Sequence, residues 1–211
     1  MEDAVRQISQ RILDFERGGI EQAVRDALSA GIDAQTILNQ GMIAAMAEVG
    51  ERFEKGEFFI PEMLLAASTM EKGLAVLQPY LTQQGAKPIG KVVIGTVRGD
   101  LHDVGKNLVA MMLRGAGFEV IDLGVDIPAE KFIEAARSHG ARVIGMSALL
   151  TTTMEGMKLT IDALQEAGLR GRVKVMVGGA PLSEDYARQI GADGYAPDAN
   201  CAVRVAKDLL R

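Results

Sequence analysis

Residues 91–107, KVVIGTVRGDLHDVGKN, decide how this sequence folds. Residues 92–96 are apolar and mostly β-branched, which is typical of a strand buried on both faces of a parallel sheet. Similar runs follow at 119–123, 142–147, 173–177 and 193–196, and helical segments accompany them at about 104–116, 129–138, 153–167, 183–190 and 199–210. Five strand–helix alternations predict an α/β fold, a doubly wound five-stranded parallel sheet covered by helices on both faces.

The first 86 residues show helical periodicity instead. Apolar side chains recur at three- and four-residue spacing, the pattern of amphipathic helices, beginning with Val5, Ile8, Ile12 and Phe15. Glycines at 18–19 and 31 predict the ends of two helices, a third is predicted at about 33–49, and a fourth from Pro61 to about Leu81. The sequence therefore predicts a four-helix bundle at 1–86, a polar linker at 83–88 and the α/β domain at 87–211.

Composition and charge limit the function classes. The 211 residues are 48% hydrophobic and 24% charged, which is ordinary globular usage. Residues 1–86 carry 7 Lys and Arg against 13 Asp and Glu, and residues 87–211 carry 16 against 15, so neither half has the basic surplus of a nucleic-acid binder. Charges interrupt every long apolar stretch, and Cys201 is the only cysteine. We therefore expect a cytoplasmic protein without a membrane helix, a secretory signal or a disulfide.

The loop after the first predicted strand carries candidate metal-binding chemistry. Ligands of such sheets bind beyond the carboxyl ends of the strands, and there the sequence places His102 between Asp100 and Asp103. An Asp two residues before a His can accept one ring proton, which leaves the other nitrogen free for a metal. An exposed histidine beside a helix cap at Asp103 is equally compatible with the spacing. A nucleotide site fits poorly, because the glycines match neither dinucleotide nor P-loop spacing.

Two later loops also suggest a ligand. Residues 147–153, SALLTTT, are largely small or hydroxylated, which favours either close approach of a ligand or a Ser/Thr helix cap. Gly178 and Gly179 follow the fourth predicted strand and permit either a tight turn or a backbone that runs alongside a bulky group. Each loop alone leaves both interpretations open, whereas the three together are far more specific.

Together, D-x-H-x-x-G at 100–105, S-x-L at 147–149 and G-G at 178–179 resemble the fingerprint of cobalamin-binding domains, including the cobalamin-binding module of methionine synthase. Segments 49–53 and 59–63 resemble the helical cap that precedes such domains. The resemblance covers essentially the whole chain, which is similar to the free-standing corrinoid proteins of methanogen and acetogen methyltransferase systems. It implies a flavodoxin-like domain behind a four-helix cap, with cobalamin or a related corrinoid, in its methylcobalamin form, and its cobalt as cofactor.

The resemblance also implies roles for individual residues. His102 would be the lower axial ligand of cobalt, Asp100 the carboxylate that hydrogen-bonds it, and Thr153 the third member of this relay, where methionine synthases carry Ser. Other cofactor-binding positions would lie in the three loops, where several line the slot for the displaced nucleotide tail, and in the cap, which would shield the methyl group. They are Asp103, Gly105, Ser147, Leu149, Thr151, Gly178 and Gly179 in the loops, and Phe53, Ile60 and Met63 in the cap.

The implied activity is methyl carriage, without catalytic residues of the chain's own. The protein would accept a methyl group on Co(I) from a substrate-specific methyltransferase and pass it from methyl-Co(III) to a second methyltransferase acting on a thiol or tetrahydrofolate. A reductive activase is a further implied partner, whereas nucleic acid and membrane are not. The donor stays open among methanol, methylamines, methoxylated aromatics, betaines and methyl sulfides. The alternatives are a cobalamin-dependent sensor or regulator and the cobalamin subunit of a mutase.

Overall fold

The computed structural model describes residues 2–83 and 87–211. The chain divides into two compact units, one around the N-terminal helices and one around the sheet that begins at Lys91. The predicted linker at 83–88 includes residues 84–86, which lie outside the described residues. The predicted boundary between residues 86 and 87 therefore stays a prediction.

The first unit consists of helices. They are α1 (Glu2–Leu13), α2 (Ile20–Ser29), α3 (Ala34–Thr36), a π-helical segment (Ile37–Ile43), α4 (Ala44–Glu54) and α5 (Ile60–Gln83). The π-helical segment joins α3 to α4 in one continuous run, so the predicted third helix exists but extends beyond residue 49. Asp33 begins this run, because its carboxylate accepts a hydrogen bond of 3.0 Å from the Thr36 N–H. The four predicted helical segments are thus all present.

The first helix ends earlier than its sequence indicates. Residues 18–19 were expected to end it, and that prediction is wrong, because α1 stops at Leu13 and Phe15 adopts a left-handed backbone with φ of +60°. Two hydrogen bonds close the helix in a Schellman motif, Glu16 N–H to Arg11 O at 2.8 Å and Phe15 N–H to Ile12 O at 3.2 Å. The left-handed position of this motif usually holds glycine, so a phenylalanine there gave no sequence signal.

The second unit holds the parallel sheet. Its strands are β1 (Lys91–Thr96), β2 (Glu119–Asp122), β3 (Val143–Ser147), β4 (Lys174–Gly178) and β5 (Gly194–Ala196), and its helices are α6 (Val104–Gly115), α7 (Ala129–His139), α8 (Glu155–Glu166), α9 (Glu184–Gln189) and α10 (Ala199–Asp208). The strand order is β2-β1-β3-β4-β5, and neighbouring strands are parallel. This is the flavodoxin-like order. The predicted fold is confirmed, with shifts of one or two residues at the element ends.

The central strands form the core of this unit. Val93, Ile144 and Val175 are neighbours across β1, β3 and β4, and each is fully buried. Burial on both faces explains why these strands are continuous apolar runs. Gly95 lies in β1 under α7, where a Cβ atom would be 2.9 Å from the ring of Phe132. The glycine therefore allows the helix to lie close to the sheet.

The strand order determines where a ligand would bind. Connections from β1 and from β3 leave towards opposite sides of the sheet, so the loops after these two strands diverge at a topological switch point. The residues with candidate chemistry lie in these loops, at 97–103 and 148–154. Among the described helices, none combines the length and apolarity that a membrane span requires. The cytoplasmic location stays a prediction.

Candidate functional site

Asp100 is the centre of the site and is fully buried. Its Oδ1 atom accepts hydrogen bonds from the backbone N–H of His102 at 3.0 Å and from Nδ1 of His102 at 2.7 Å. Its Oδ2 atom accepts hydrogen bonds from the N–H groups of Leu149 at 2.8 Å and Leu150 at 3.2 Å, and from the hydroxyl of Thr153 at 2.7 Å. One carboxylate therefore holds the loop after β1 to the loop after β3.

These hydrogen bonds decide the charge of Asp100. Burial alone would raise the pKa of its carboxyl, because the charged form loses its water. The hydrogen bonds donated by Leu149, His102 and Thr153 outweigh burial and hold the pKa of Asp100 well below its ordinary value. Asp100 is therefore ionised at neutral pH. Because an ionised carboxylate can only accept, the proton between Asp100 and His102 lies on Nδ1 of the imidazole.

His102 combines a fixed ring with an accessible lone pair. Its side chain is 51% exposed, and its Nδ1–H group donates to Asp100, so Nε2 carries the free lone pair. The hydroxyl of the fully buried Thr96 donates a hydrogen bond of 3.0 Å to the backbone carbonyl of His102. A histidine oriented by a carboxylate in this way is the usual arrangement of a metal ligand. An incidental surface histidine would not require a buried, five-fold hydrogen-bonded carboxylate behind it.

The hydroxyl group of Thr153 lies where the predicted third member of the relay would donate to Asp100. The side chain is nearly buried, and Oγ1 lies 2.7 Å from Oδ2 of Asp100 and 2.9 Å from the carbonyl oxygen of Leu150. The hydroxyl has one proton, and the ionised carboxylate is the stronger acceptor of the two. The Cγ2 methyl lies towards Gly99, 3.6 Å from where a Cβ atom would stand on that residue. The methyl group of threonine is thus accommodated without displacing the hydroxyl from Asp100.

Asp103 occupies the cap position that the alternative interpretation gave it. Its backbone carbonyl accepts the first helical hydrogen bond of α6, from the Asn107 N–H at 2.7 Å. Its carboxylate accepts a hydrogen bond of 3.0 Å from the side-chain amide of Asn107. Asp103 is exposed and lies next to His102 in the chain. Its role in cofactor binding stays a prediction.

Gly178 and Gly179 are required by packing within the protein. A Cβ atom on Gly178 would stand 2.8 Å from the backbone oxygen of Ala196, and one on Gly179 would overlap the backbone carbonyl of Ala148. Gly179 also has φ of +135°, which side chains rarely adopt. Gly178 therefore allows the end of β4 to lie close to β5, and Gly179 allows the loop after β4 to lie close to the loop after β3. Whether they also line a slot for the nucleotide tail stays a prediction.

The remaining loop positions are accessible from solvent. Gly105, Leu149 and Thr151 are exposed, and Ser147 is partly buried at the end of β3. A Cβ atom on Gly105 would meet nothing within 4 Å, so the fold itself does not require glycine there.

The three cap residues lie in the first unit, and their environments differ. Met63 is fully buried, Phe53 is partly buried, and Ile60 is exposed at the start of α5. Their predicted role in shielding a methyl group stays a prediction.

The structure adds apolar residues that sequence reasoning missed. Leu101 and Val104, on either side of the histidine in the chain, are 71% and 74% exposed, and Leu150 joins Leu149 as an exposed apolar residue of the β3 loop. These four exposed apolar side chains lie in, or directly after, the two loops that Asp100 connects, and exposed apolar residues near one another are typical of a binding site. A signal was present in the sequence, because apolar residues flank the polar motif in a loop where solvent-facing residues would be expected.

Comparison with known proteins agrees with this geometry. The B12 binding domain family matches residues 90–204, and a second family described as a B12 binding domain matches residues 4–78. The chain is 43% identical over 210 residues to dimethylamine corrinoid protein 2 of Methanosarcina mazei, covering 99% of this chain and 98% of that protein. It is 43% identical over 211 residues to the trimethylamine corrinoid protein of Methanosarcina barkeri, covering 99% and 97%.

A solved structure extends the agreement to three dimensions. The methanol:cobalamin methyltransferase complex of Methanosarcina barkeri contains a chain that matches with a TM-score of 0.88 and 29% identity, over 99% of this chain and 80% of that one. Both sequence and fold therefore match over nearly the full length of this chain. With its B12 binding domain and its corrinoid-protein relatives, the chain belongs to the family of cobalamin-binding corrinoid proteins of methanogen methyltransferase systems, whose cofactor is a corrinoid with its cobalt.

Proposed function

We propose that this chain carries a methyl group between two methyltransferases on the cobalt of its corrinoid, with His102 as the lower axial ligand. The observation that supports this role most directly is the pair formed by buried Asp100 and half-exposed His102, 2.7 Å apart. The pair directs the Nδ1–H group to the carboxylate and leaves Nε2 available to a metal.

The residues present fit such a cofactor. Imidazole nitrogen is a good ligand for a transition metal, and a carboxylate behind it increases its basicity. The exposed apolar side chains of Leu101, Val104, Leu149 and Leu150 suit the face of a large macrocycle, which would cover them. The donor set and its surroundings therefore support a cobalt ligand supplied by the protein.

The bound cobalt would supply the centre that takes up and releases the methyl group. The chain's own residues tune the ligand. The hydrogen bonds from Leu149, His102 and Thr153 hold Asp100 ionised, and Asp100 orients the imidazole ring. The relay would therefore hold the imidazole in one orientation, with Nε2 available to the cobalt.

We infer methylamines as the class of methyl donor. Dimethylamine and trimethylamine corrinoid proteins are 43% identical to this chain over nearly its whole length. The first partner would then be a methylamine-specific methyltransferase. The second would be a methyltransferase with a thiol or tetrahydrofolate acceptor, and a reductive activase would restore the reduced cofactor.

The axial role of His102 is tested by reconstitution with hydroxocobalamin. Wild-type protein should take up about one cobalt per chain, as expected for one axial histidine. The His102→Ala variant should bind cobalamin more weakly, since the loops still contact the macrocycle, and should lose the histidine signal. That signal is the nitrogen splitting of the Co(II) electron paramagnetic resonance lines, a triplet that becomes a doublet when the protein is labelled with ¹⁵N-histidine.

His139→Ala is the matched control, because His139 is the chain's other histidine and is exposed at the end of α7. It should leave both binding and splitting unchanged. Folded wild-type protein that takes up no cobalamin would refute the cofactor assignment, and an isotope-sensitive splitting that survives in His102→Ala would refute the ligand. The carrier role is then tested with methylated protein and each candidate methyltransferase, by following methyl transfer from dimethylamine, trimethylamine and methanol.

The two alternative functions receive less support. The relatives named above are corrinoid proteins of methylamine metabolism, and the matching solved chain comes from a methyltransferase complex. Copurification of methylcobalamin rather than adenosylcobalamin would favour the carrier over a mutase subunit.

A further inference from the structure

Asp126 has an unusual backbone for its residue type. It lies in the β2–α7 loop at residues 123–128 and has φ of +56°. Among the described residues, Phe15 and Asp126 are the two non-glycine residues in the left-handed region. That region is unfavourable for a side-chain-bearing residue, although Asp and Asn tolerate it better than most. A persistent conformation of this kind requires interactions that hold it.

Two hydrogen bonds connect Asp126 to the segment that carries the candidate axial histidine. Its Oδ1 atom accepts a hydrogen bond of 2.7 Å from the Gly99 N–H. Its own N–H donates a hydrogen bond of 3.0 Å to the backbone oxygen of Asp100. The bonds run in opposite directions and hold the peptide groups on either side of the Gly99–Asp100 peptide, so they fix the position and the orientation of this short backbone segment.

The loop that carries Asp126 is itself anchored to β1. The Thr96 N–H donates to the Gly124 oxygen at 2.9 Å, and the Ile127 N–H donates to the Thr96 oxygen at 3.0 Å. Asp126 therefore lies between two points that are fixed to the end of the strand. The N–H and the carboxylate of Asp126 thus hold the backbone around Asp100. The donors of the β3 loop hold its carboxylate.

We propose that Asp126 is a positioning residue for the axial ligand. This inference rests on the proposed cofactor role of His102. The Asp126 carboxylate fixes the backbone conformation at Gly99 and Asp100. That conformation in turn determines the orientation of the Asp100 carboxylate and of the His102 imidazole. Asp126 acts through Asp100 and does not itself ligate the metal.

Two substitutions at position 126 distinguish the effect of the side-chain acceptor from the effect of the left-handed backbone conformation. Asp126→Gly keeps a residue that readily adopts positive φ but removes the acceptor for the Gly99 N–H. Asp126→Asn keeps both the positive φ and the acceptor, because asparagine tolerates the left-handed region and its amide oxygen can accept the same hydrogen bond. Both variants retain the N–H that donates to Asp100 and can adopt positive φ, so the two proteins differ in the side-chain acceptor and in the greater backbone freedom of glycine.

The variants are compared as holoproteins with saturating cob(II)alamin and ¹⁵N-histidine labelling. In Asp126→Gly we expect a smaller share of the bound cobalt to show isotope-sensitive histidine splitting, and a cobalamin dissociation constant raised about tenfold, the lower end for residues behind a metal ligand. Asp126→Asn should match wild type in both measurements. In the cofactor-free proteins, the His102 and Leu149 amides should exchange faster in Asp126→Gly than in Asp126→Asn.

The possible outcomes separate this inference from the proposed function. Asp126→Gly protein with the full histidine splitting of wild type would overturn the positioning role, even if its affinity or stability falls, because direct contact with the cofactor or a purely structural role predicts that result. An Asp126→Asn protein as impaired as Asp126→Gly would overturn it too. If wild type itself shows no histidine splitting, the proposed axial ligand is refuted. In that case the amide exchange of the cofactor-free proteins tests the positioning role independently. Equal exchange rates in Asp126→Gly and Asp126→Asn would refute that role.

Discussion

The Leu149 N–H donates a hydrogen bond of 2.8 Å to Oδ2 of Asp100, a residue 49 positions earlier in the chain. The hydrogen bond crosses the switch point between the loops after β1 and β3. It gives the charge on Asp100 a backbone partner, which is present whichever non-proline residue occupies position 149. The position of the carboxylate that hydrogen-bonds His102 thus depends on the relative position of two adjacent parallel strands, which the central sheet fixes.

The Asp100 carboxylate should stabilise the fold in a pH-dependent way. Asp100→Asn keeps the shape but turns an amide NH₂ towards N–H or O–H donors, so the free energy of unfolding should fall by about 3 kcal/mol near neutral pH. The pKa of Asp100 is lowered from its ordinary value of 3.8, so the carboxylate's contribution is complete above that value and is lost as pH falls below it. The stability gap between wild type and variant should therefore narrow in acid.

Urea unfolding of the cofactor-free proteins at about pH 7 and about pH 3 measures this gap, on either side of the ordinary carboxyl pKa. Asp162→Asn is the control, because Asp162 is half-exposed and pairs with Lys158 on the surface of α8. It should change stability by less than about 1 kcal/mol. A gap for Asp100→Asn that widens in acid would contradict the assignment of a depressed pKa to this carboxyl.

The hydroxyl of Thr153, rather than its methyl group, should carry the interaction with Asp100. Thr153→Val is nearly isosteric and removes one of the donors to Oδ2, so it should lower stability by about 1–3 kcal/mol. Thr153→Ser keeps the donor and loses one methyl group, a change of about 0.8 kcal/mol. Urea unfolding ranks the two variants, and a serine variant as unstable as the valine variant would assign the effect to packing against Gly99.

Local spacing in the sequence predicted contact between Asp100 and His102 as one of two interpretations of the loop, and the resemblance to cobalamin-binding domains favoured it. Asp100 and His102 are two residues apart, so their contact depends on a single turn. A predicted strand followed by a polar loop indicates such a turn. The N–H groups of Leu149 and Leu150 carried no signal, because every non-proline residue has such a donor and only the register of β1 against β3 selects these two. The burial patterns agree with β1, β3 and β4 as central strands and with β2 and β5 as edge strands.

Other features depend on tertiary contacts that override local preference. Phe15 ends α1 from a position that usually takes glycine, and Asp126 adopts the left-handed region without a glycine signal. For the glycines at 178–179 the sequence left open a tight turn or a backbone alongside a bulky group, and their predicted place in the cofactor slot stays a prediction. The approaching groups in the structure are the backbones of Ala148 and Ala196.

Lys106 and Asp122 form a nearly buried ion pair. Replacing one member should change the stability of the protein by a different amount than replacing the other. Lys106 Nζ lies 2.7 Å from both carboxylate oxygens of Asp122 and 2.6 Å from Oδ1 of Asn107. The Lys106 side chain is 2% exposed and that of Asp122 is 25% exposed. Without the lysine, Asp122 can turn to water, whereas without the aspartate a buried ammonium group keeps only an amide partner.

We therefore expect Asp122→Ala to lower the free energy of unfolding by roughly 2 kcal/mol more than Lys106→Met, since an unpaired buried charge costs more than its replacement by an apolar chain. The double variant Lys106→Met/Asp122→Ala should recover much of the loss seen in Asp122→Ala. Chemical unfolding of the three proteins gives the comparison. Equal losses in the two single variants, with no recovery in the double, would mean that the pair does not act as a unit.

Gly105 should separate cofactor binding from folding. It lies exposed in the first turn of α6, and a Cβ atom there would meet nothing within 4 Å, so Gly105→Ala should leave stability unchanged or raise it by up to about 1 kcal/mol. Gly105→Leu should also fold. If Gly105 lines the cofactor slot, the leucine side chain occupies that space, and cobalamin affinity should fall at least about tenfold, a loss of about 1.4 kcal/mol.

Gly171 supplies the matched control for this comparison. It is likewise exposed with open space at its Cβ position, but it lies in the turn before β4, at the opposite end of the strand from the loops that form the site. Gly171→Leu should leave cobalamin affinity unchanged. Titration of each cofactor-free protein with hydroxocobalamin, followed by absorbance, gives the affinities. A Gly105→Leu protein that binds cobalamin as tightly as Gly171→Leu would show that residue 105 lies outside the slot, because a leucine side chain cannot share that space with the cofactor.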